Sequence, residues 1–288
     1  MKKSRLWFSF FVAPILISFL IVVIIPAITG IYYSFTDWNG IDNNAPFVGL
    51  QNYRQIFSAD SGFLQSFIFT LKFSIVSVIM INLIGFALAL LVTREMKISN
   101  ILRSIFFMPN MVGGLILGFI WQFIFTKAFN TIGMKLGWEF MTGWLSTTAT
   151  GFWALVILMS WQMSGYMMVV YIAALQGIPD NLKEAAEIDG ANPFQRLINI
   201  TIPLVAPAFT VGIFLTLSNC FKLFDQNLAL TGGGPYNSTQ MLALNIYNSA
   251  FARNEFGISQ AKAVIFLITV AVITLTQLNF NKKKEVEM

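Results

Sequence analysis

The sequence predicts an all-α membrane protein with six transmembrane helices, both termini in the cytoplasm and no separate soluble domain. Composition is the first reason: of 288 residues, 56% are hydrophobic and 11% are charged, with a mean hydropathy of +0.70. So few charges cannot cover a soluble protein of this size. Six apolar runs that reach the roughly 20 residues needed to cross a bilayer are the second reason. The distribution of lysine and arginine is the third.

The six apolar runs lie near residues 8–33, 66–92, 104–126, 151–175, 203–223 and 259–279. The first follows a basic N-terminus, as in a signal peptide. Its apolar run is too long for one, however, and no small-residue cleavage site is convincing, so we expect a retained helix. The chain then reads as one membrane domain over 1–288, with external loops near 34–65, 127–150 and 224–258.

Basic residues favour one orientation. With both termini inside, the inner segments hold eleven cations: Lys2, Lys3, Arg5, Arg94, Lys97, Arg103, Lys183, Arg196, Lys282, Lys283 and Lys284. The outer loops hold four: Arg54, Lys127, Lys135 and Arg253. This bias fixes the orientation by the positive-inside rule. The net charge of +5 is spread over membrane boundaries and forms no single basic face, so we expect membrane lipid and no nucleic acid as a partner.

Several function classes are excluded by the residues present. The chain has no histidine and one cysteine, Cys220, in an apolar run, which removes an intrachain disulfide, the usual metal sites and His-dependent nucleophilic catalysis. It has no phosphate-binding loop of the G-x-x-x-x-G-K-[ST] type. We therefore expect no enzyme activity, no cofactor and no metal in this chain. A membrane-embedded enzyme would need convergent catalytic groups at one depth, and the sequence offers none.

The positions of the carboxylates argue against an ion-coupled carrier. None of the thirteen lies in the middle of a predicted span. Asp225 is the nearest case, and we place it just beyond the outer end of span five. Ion-coupled carriers commonly keep an ionisable side chain at membrane depth. Uphill transport by this chain would therefore draw its energy from elsewhere, and an ATPase partner is the natural source.

A polar stretch interrupts the apolar runs between spans four and five, on the side predicted to be cytoplasmic. We call residues 176–203 the knob. Pro179 and Asp180 suit the start of a short helix, within which Lys183 and Glu187 support each other weakly across one turn. Gly190 suits a left-handed helix end.

A second short helix is predicted directly after that turn. Asn192, Pro193 and Gln195 form a cap, a first-turn proline and a reciprocal capping partner, and the helix runs through Phe194 to Ile198. Pro203 marks the start of span five. From the residues alone, a helical connector that docks nothing remains an open interpretation of this element.

The knob resembles the signature of the membrane subunits of binding-protein-dependent ABC importers. That signature reads Glu-Ala-Ala, three residues, Gly, nine residues, Ile, one residue and Leu-Pro. This chain has it at Glu184, Ala185, Ala186, Gly190, Ile200 and Pro203, with Ile202 in place of the leucine. The resemblance covers essentially the whole chain and implies the permease fold of type I ABC importers.

The resemblance also implies partners. The knob would be the coupling element seated in a cleft of the ATPase: Glu184 would meet polar or basic groups, Ala185 and Ala186 would permit close approach, and Gly190 would set the angle between the helices. The assembly would contain a second, similar permease subunit, two ATPase subunits that bind ATP and Mg²⁺, and an extracellular substrate-binding protein. Its place would be the cell membrane.

A second segment, "FDQNLALTGGGPYNSTQ" from Phe224 to Gln240, resembles the carbohydrate branch of these permeases, which carries Thr-Gly-Gly-Gly-Pro in the last external loop. This implies a di- or oligosaccharide substrate. A glycerol-3-phosphate or glycerophosphodiester importer is the alternative, because its motifs are similar. A passive channel or scaffold is a further alternative, although neither needs the knob.

Sugars are neutral and combine hydroxyl groups with apolar ring faces, so their pathway should offer aromatic and uncharged polar side chains. Candidates for the pathway are Asn110, Trp161, Gln162, Ser164, Tyr166, Asn219, Phe221, Lys222 and Phe224. For each of them, packing between helices is the competing interpretation. We expect Asn82 to bridge helices, and Lys222 to pair with Asp225 on one helical face.

Overall fold

The computed structural model describes residues 2–42, 44–58, 62–94 and 97–282. The side chains of residues 2–9, 183 and 278–282 are outside this description. The inner-segment cations Lys2, Lys3, Arg5, Lys183, Lys282, Lys283 and Lys284 therefore fall outside it, as does the predicted support of Glu187 by Lys183.

The chain forms two compact units. The first contains the N-terminal part through Leu64 together with Asn245–Thr269, and the second contains Gln65–Leu244 and the described residues from Val270 onward. That the chain acts as one membrane domain stays a prediction.

Among the described residues, six helices are long and apolar enough to cross a membrane, as predicted. They occupy Phe10–Tyr33, Phe63–Val92, Gly114–Leu136, Thr148–Gln176, Pro193–Phe221 and Phe256–Gln277. None of these six segments contains aspartate or glutamate. The predicted fold class, an all-α protein with six membrane-spanning helices, is therefore observed. The third and fifth crossing helices have different bounds from those predicted.

The first unit begins with α1 (Lys2–Phe19), a π-helical turn at Leu20–Ile24, and α2 (Ile25–Tyr33). It also contains α3 (Gln51–Ile56), most of α13 (Leu242–Phe251) and the first half of α14 (Phe256–Lys282). Polar contacts organise it: the buried Asn52 donates through Nδ2 to the carbonyl oxygens of Ser34 and Thr36, at 2.9 and 2.8 Å.

A buried lysine joins two helices of this unit. Lys262 of α14 is 1% exposed, and its Nζ donates to Asn245 Oδ1 and Ser249 Oγ of α13 at 2.9 and 2.7 Å. Neutral oxygens therefore satisfy a cation inside the last crossing helix. These contacts attach α13, which lies in the predicted external loop 224–258, to the start of α14.

The second unit is built around α8 (Thr148–Gln176), the most deeply buried of the six crossing helices. A capping box of Thr147 and Thr150 begins it. Around it pack α4 (Phe63–Val92), α6 (Gly114–Phe123) with α7 (Phe129–Leu136), and α11 (Ile202–Phe221). The shorter α5 (Ser99–Phe107), α9 (Asp180–Ile188), α10 (Pro193–Arg196) and α12 (Asp225–Leu230) connect them.

The predicted third span, 104–126, lies about ten residues too early in the chain, because the crossing helix occupies Gly114–Leu136. The chain from Ser99 to Phe107 forms the separate helix α5, which Arg103 ties to α4 by donating from Nη2 to the Val92 carbonyl at 3.1 Å. A 3₁₀ turn at Met108–Met111 and extended backbone at Val112 and Gly113 follow. Proline at 109 and the glycine pair at 113–114 favour this interruption. The crossing helix runs over Gly114–Leu136, so residues 127–136 of the predicted outer loop 127–150 belong to it.

The predicted fifth span, near 203–223, begins about ten residues too late, because its helix already starts at Pro193. The second short helix of the knob does not stop at Ile198, because α10, a π-helical turn at Leu197–Thr201 and α11 form one continuous helix from Pro193 to Phe221. Pro203 therefore lies in the interior of this continuous helix, directly after the π-helical turn. Local π adjustments of this kind accommodate a proline inside a membrane helix. The outer end of this crossing is described with the site below.

Candidate functional site

The site lies around the centre of α8. Gln162 is the fifteenth of its 29 residues, so about 20 Å of helix extends to each side. In a hydrocarbon layer about 30 Å thick, Gln162 is at membrane depth. Its Nε2 donates to the carbonyl oxygen of Val112 at 3.2 Å, and its Oε1 accepts from Gln226 Nε2 at 2.8 Å. One glutamine thus connects the segment just before the third crossing helix with the segment just after the fifth.

Both partners of Gln162 belong to helix interruptions. Val112 lies in the extended segment between the 3₁₀ turn and α6. Gln226 is in the first turn of α12, just after the non-helical residues 222–224. Irregular backbone at membrane depth is tolerated only where protein buries it or where it lines a water-filled cavity. Two such breaks at one level therefore indicate a functional position.

The break between α11 and α12, at residues 222–224, is the second break. Its depth follows independently from the packing of α11 against α8. These helices run antiparallel, and Gly212 of α11 lies against the Tyr171 hydroxyl of α8. Nine residues on from Gly212 is Phe221, the last residue of α11, and nine back from Tyr171 is Gln162. Equal rise along both helices puts the end of α11 level with Gln162. The fifth crossing helix thus ends about halfway through the membrane.

One amide and two charged side chains lie at or next to this break. Asn219, Lys222 and Asp225 are all exposed on the chain surface. Asp225 also lies against Gly114, the first residue of α6. The prediction that Asp225 falls beyond the outer end of span five is therefore wrong: it is next to Gln226, at the depth of Gln162. The prediction failed because the apolar run 203–223 is long enough to be counted as a whole crossing, although its helix already begins at Pro193.

The predicted pairing of Lys222 with Asp225 on one helical face is also wrong. α11 ends at Phe221 and Asp225 begins α12, so the two residues do not share a helix. No salt bridge joins these two described side chains. Exposed charges at membrane depth are too costly to face lipid, so this surface faces water or another protein chain.

A groove of about 550 Å³ lies on another side of α8 and contains Trp161 and Ser164. α4, α8 and residues 105–109 form its largely apolar walls. Trp161 is 47% exposed and contacts Trp121 edge to face, with ring centroids 5.6 Å apart. Ser160, also in the wall, has a buried hydroxyl without a hydrogen-bond partner among the described residues.

The remaining candidates are dispersed. Asn110 is half-buried in the 3₁₀ turn, and Tyr166 is half-buried against the core. Asn219 donates through Nδ2 to the Leu215 carbonyl of its own helix at 2.8 Å. Phe221 is buried by its own chain, and Phe224 is half-buried. The structure thus brings Gln162 together with the second break, and Trp161 together with Ser164.

Asn82 joins three helices, as the sequence analysis expected. Its Nδ2 donates to Thr216 Oγ1 of α11 at 3.0 Å, and its Oδ1 accepts from the Tyr171 hydroxyl of α8. All three side chains are buried. A Cβ at Gly212 would lie 2.4 Å from the Tyr171 oxygen, so glycine is required beside this network.

One positional signal in the sequence was missed. Gly114 and Gly118 form a small-xxx-small pattern on α6, and α12 packs directly on it. A Cβ at Gly118 would lie 2.5 Å from the Cβ of Ala229. Gln122, one turn further, donates from Nε2 to the Leu230 carbonyl at 3.2 Å. The pattern could have indicated that another element packs closely on this face of α6.

The knob has the predicted turn. α9 ends at Ile188, and Gly190 has φ +77°. The Gly190 amide donates to the Glu187 carbonyl at 3.0 Å and the Ala191 amide to the Ala186 carbonyl at 2.9 Å, which together form a Schellman motif. Pro179 is the N-cap, not the first helical residue, and Asp180 begins the helix.

The second half of the knob is fastened by a capping box and an ion pair. Asn192 and Gln195 exchange side-chain to backbone hydrogen bonds of 2.8 and 2.9 Å, as predicted. Arg196 of α10 forms a salt bridge with Glu187 of α9, which was not predicted from the sequence.

The knob's surface is mixed in character. Glu184, Ala185 and Gly190 are exposed, whereas Ala186 is buried. Ile200 is half-buried and Pro203 is exposed. Ile188 and Phe194 are 87% and 68% exposed, so two large apolar side chains project from a polar element. Such a surface is suited to binding another protein.

Comparison with known proteins identifies relatives over nearly the full chain. Residues 81–286 match the family described as "Binding-protein-dependent transport system inner membrane component". The probable starch degradation products transport system permease protein AmyD of Thermoanaerobacterium thermosulfurigenes is 54% identical over 288 residues, 99% of this chain and 97% of that protein. The multiple sugar-binding transport system permease protein MsmF of Streptococcus mutans is 31% identical over 98% of both chains.

A solved structure has the same fold. A chain of a bacterial ABC transporter involved in the import of the acidic polysaccharide alginate superposes with a TM-score of 0.86, over 98% of this chain and 96% of that chain. The two sequences are 20% identical.

Proposed function

This chain belongs to the family of binding-protein-dependent transport system inner membrane components, and on that premise we propose that it is the permease subunit of an ATP-driven sugar importer. It would form half of the pathway for a di- or oligosaccharide. The names of the starch-product and multiple-sugar relatives support a carbohydrate substrate. As a multi-pass protein of the cell membrane, it would have both termini in the cytoplasm.

The observation that carries the proposal is the pair of helix breaks at the depth of Gln162. There the chain presents amide and charged groups, including Asn219, Lys222 and Asp225, at a level where lipid would exclude them. A solute crossing at this level would exchange water for side-chain hydrogen bonds. Trp161 would offer an aromatic face to a sugar ring.

A neutral solute fits this surface better than an anion does. Lys222 is one cation, and Asp225 follows it closely with the opposite charge, so the surface carries no net positive charge at this point. A phosphate group would be repelled by the exposed carboxylate, whereas sugar hydroxyls can donate to it. The glycerol-3-phosphate alternative is therefore less well supported.

The knob would transmit the energy of ATP hydrolysis. We infer that Glu184, Ala185, Ala186, Gly190, Ile200 and Pro203 form or position the surface that meets an ATPase subunit, with Ile188 and Phe194 as its apolar contacts. ATP and Mg²⁺ would bind on two separate ATPase subunits. Because α10 is continuous with α11, a movement of the knob would reach the break at Lys222 directly.

The proposed assembly needs further chains. One permease subunit presents one knob, so a second, similar permease chain would complete the pathway and engage the second ATPase subunit. An extracellular binding protein would deliver the sugar to the outer loops.

Reconstitution of the complete complex in proteoliposomes tests this proposal. We expect uptake of a radiolabelled oligosaccharide that requires both ATP and the binding protein, with no ATP hydrolysis by the purified chain alone. Uptake that continues without ATP would instead support a channel. Uptake of glycerol-3-phosphate but no sugar would replace the proposed substrate class.

A further inference from the structure

The loop that follows α12 has an unusually well-fixed base. Asn227, fully buried, donates from Nδ2 to Thr231 Oγ1 and to the Thr239 carbonyl, both at 2.9 Å, and accepts from the Met241 amide through Oδ1 at 2.9 Å. A single side chain thus joins both ends of residues 231–241. We call residues 231–240 the outer loop tip.

Contacts within the outer loop tip fix its path. Thr239 is fully buried, and its hydroxyl donates to the Gly234 carbonyl at 2.6 Å. Its amide donates to the Gly233 carbonyl at 3.1 Å. Thr148 at the start of α8 donates to Ser238 Oγ at 2.7 Å, which attaches the tip to the central helix. The loop is therefore held both internally and against α8.

Tyr236 projects from this rigid base. It is 100% exposed, and it is followed by Asn237; both have positive φ, +50° and +58°. A left-handed backbone is unfavourable for a bulky residue such as tyrosine. The loop thus maintains a strained conformation that directs a large amphipathic side chain entirely into its surroundings.

The position of the tip limits what can meet Tyr236. The tip contacts the N-terminal end of α8, whereas the knob follows its C-terminal end, about 43 Å away along the helix. If the knob faces the cytoplasm, as in the proposed function on which this inference rests, the tip is extracellular and lies beyond the hydrocarbon layer.

We infer that the outer loop tip is a docking site for the extracellular sugar-binding protein, with Tyr236 as its anchor. Tyrosine is enriched among interface residues that dominate binding energy, because it buries a large area and keeps one hydrogen-bonding group. A loop already fixed in its bound conformation loses little entropy when it binds. The tip contains no charged residue, so electrostatic attraction to anionic lipid headgroups gives no alternative account of it.

The test measures how the reconstituted wild-type complex and its variants respond to the purified, sugar-loaded binding protein that stimulates wild-type ATP hydrolysis. For Tyr236→Ala we expect the half-saturating concentration of binding protein to rise about tenfold or more, with the maximal and basal rates unchanged. Phe140→Ala is the matched control, since Phe140 is also aromatic, 72% exposed and close in sequence to the start of α8. It should behave as wild type.

An unchanged half-saturating concentration for Tyr236→Ala, or an equal change for Phe140→Ala, would overturn the inference. A wild-type complex that does not respond to any binding protein would instead contradict the proposed function. The two failures are therefore distinguishable.

Crosslinking gives a second measurement that does not depend on transport. Cys220 is the only native cysteine and is buried, so Tyr236→Cys and Phe140→Cys can be labelled selectively with a benzophenone maleimide. On illumination we expect an adduct with the binding protein from Tyr236→Cys alone. An adduct with the second permease subunit, or with neither protein, would overturn the inference.

Discussion

Gly190 sets the turn of the knob through its backbone alone. Its φ is +77°, and a Cβ at this position would meet no atom within 4 Å. Valine would therefore introduce backbone strain without a clash, about 1–2 kcal/mol, equivalent to about a 5- to 30-fold change in an equilibrium. We expect Gly190→Val to lower ATP-driven uptake by a factor in this range, and Gly190→Asn, which tolerates a left-handed backbone, to retain most of it.

Membrane insertion, measured by quantitative immunoblot, should be the same for both variants. Equal uptake by Gly190→Val and Gly190→Asn would show that the left-handed turn is not needed for coupling.

The absence of an ion pair between the described side chains of Lys222 and Asp225 predicts how substitutions of the two residues combine. Because no salt bridge joins these two described side chains, the double variant Lys222→Met/Asp225→Asn should show no rescue: its initial uptake rate should not exceed that of the slower single variant. Paired charges would instead give rescue in the double variant. The four rates of the double-mutant cycle, measured at saturating binding protein, decide between these outcomes.

At the scale of single residues, the sequence predicted those structural roles that depend only on near neighbours in the chain. The capping pair Asn192 and Gln195 and the left-handed Gly190 depend on neighbours within a few positions, and all were correct. The salt bridge of Glu187 with Arg196 spans a turn whose geometry the sequence does not specify, and it was missed. The depth of Asp225 was missed because it depends on where a helix ends in three dimensions.

Among the helices, α4, α8 and α11 are joined by the buried network of Asn82, Tyr171 and Thr216. Gly212→Ala would place a Cβ 2.4 Å from the Tyr171 hydroxyl. Overpacking of about 1–3 kcal/mol, at roughly 2 °C per kcal/mol, should lower the melting temperature by about 2–6 °C. Tyr171→Phe removes the nearest atom, so the double variant should recover part of that loss relative to Tyr171→Phe alone.

Melting of the purified chain in detergent, followed by intrinsic fluorescence, measures both shifts. Gly113→Ala is the control, because a Cβ there meets no atom within 4 Å. A Gly212→Ala variant as stable as this control would mean that the helices relax away from the clash.

The helices themselves were predictable where a long apolar run coincides with one helix, as in Phe63–Val92 and Thr148–Gln176. Prediction failed where a run contains breaks or where two elements follow each other. Hydropathy counts residues and does not register that Pro109 and Gly113 interrupt a helix in the middle of an apolar stretch. Nor does it show that α11 continues a helix that begins in the polar segment at Pro193, so the run 203–223 was counted as a whole crossing.

The absence of carboxylates from all six crossing helices favours an external energy source for the whole molecule, and the exposed Asp225 does not alter this. A coupling carboxylate in an ion-driven carrier must bind and release its ion between two sealed states. Asp225 instead sits beside Lys222 at an irregular break, a setting suited to hydrogen bonding with a neutral solute. Energy would enter at the knob and reach this level through the continuous helix from Pro193 to Phe221.

The outer loop tip and the knob lie at opposite ends of α8, so labelling the two from outside the cell tests the proposed orientation. Tyr236 and Ile188 are 100% and 87% exposed and lie near opposite ends of this helix. We expect Tyr236→Cys to react with a membrane-impermeant maleimide in intact cells, and Ile188→Cys to react only after permeabilisation. The buried Cys220 should give little background in the parent protein. Labelling of Ile188→Cys in intact cells would reverse the proposed orientation, and with it the assignment of the knob to a cytoplasmic ATPase.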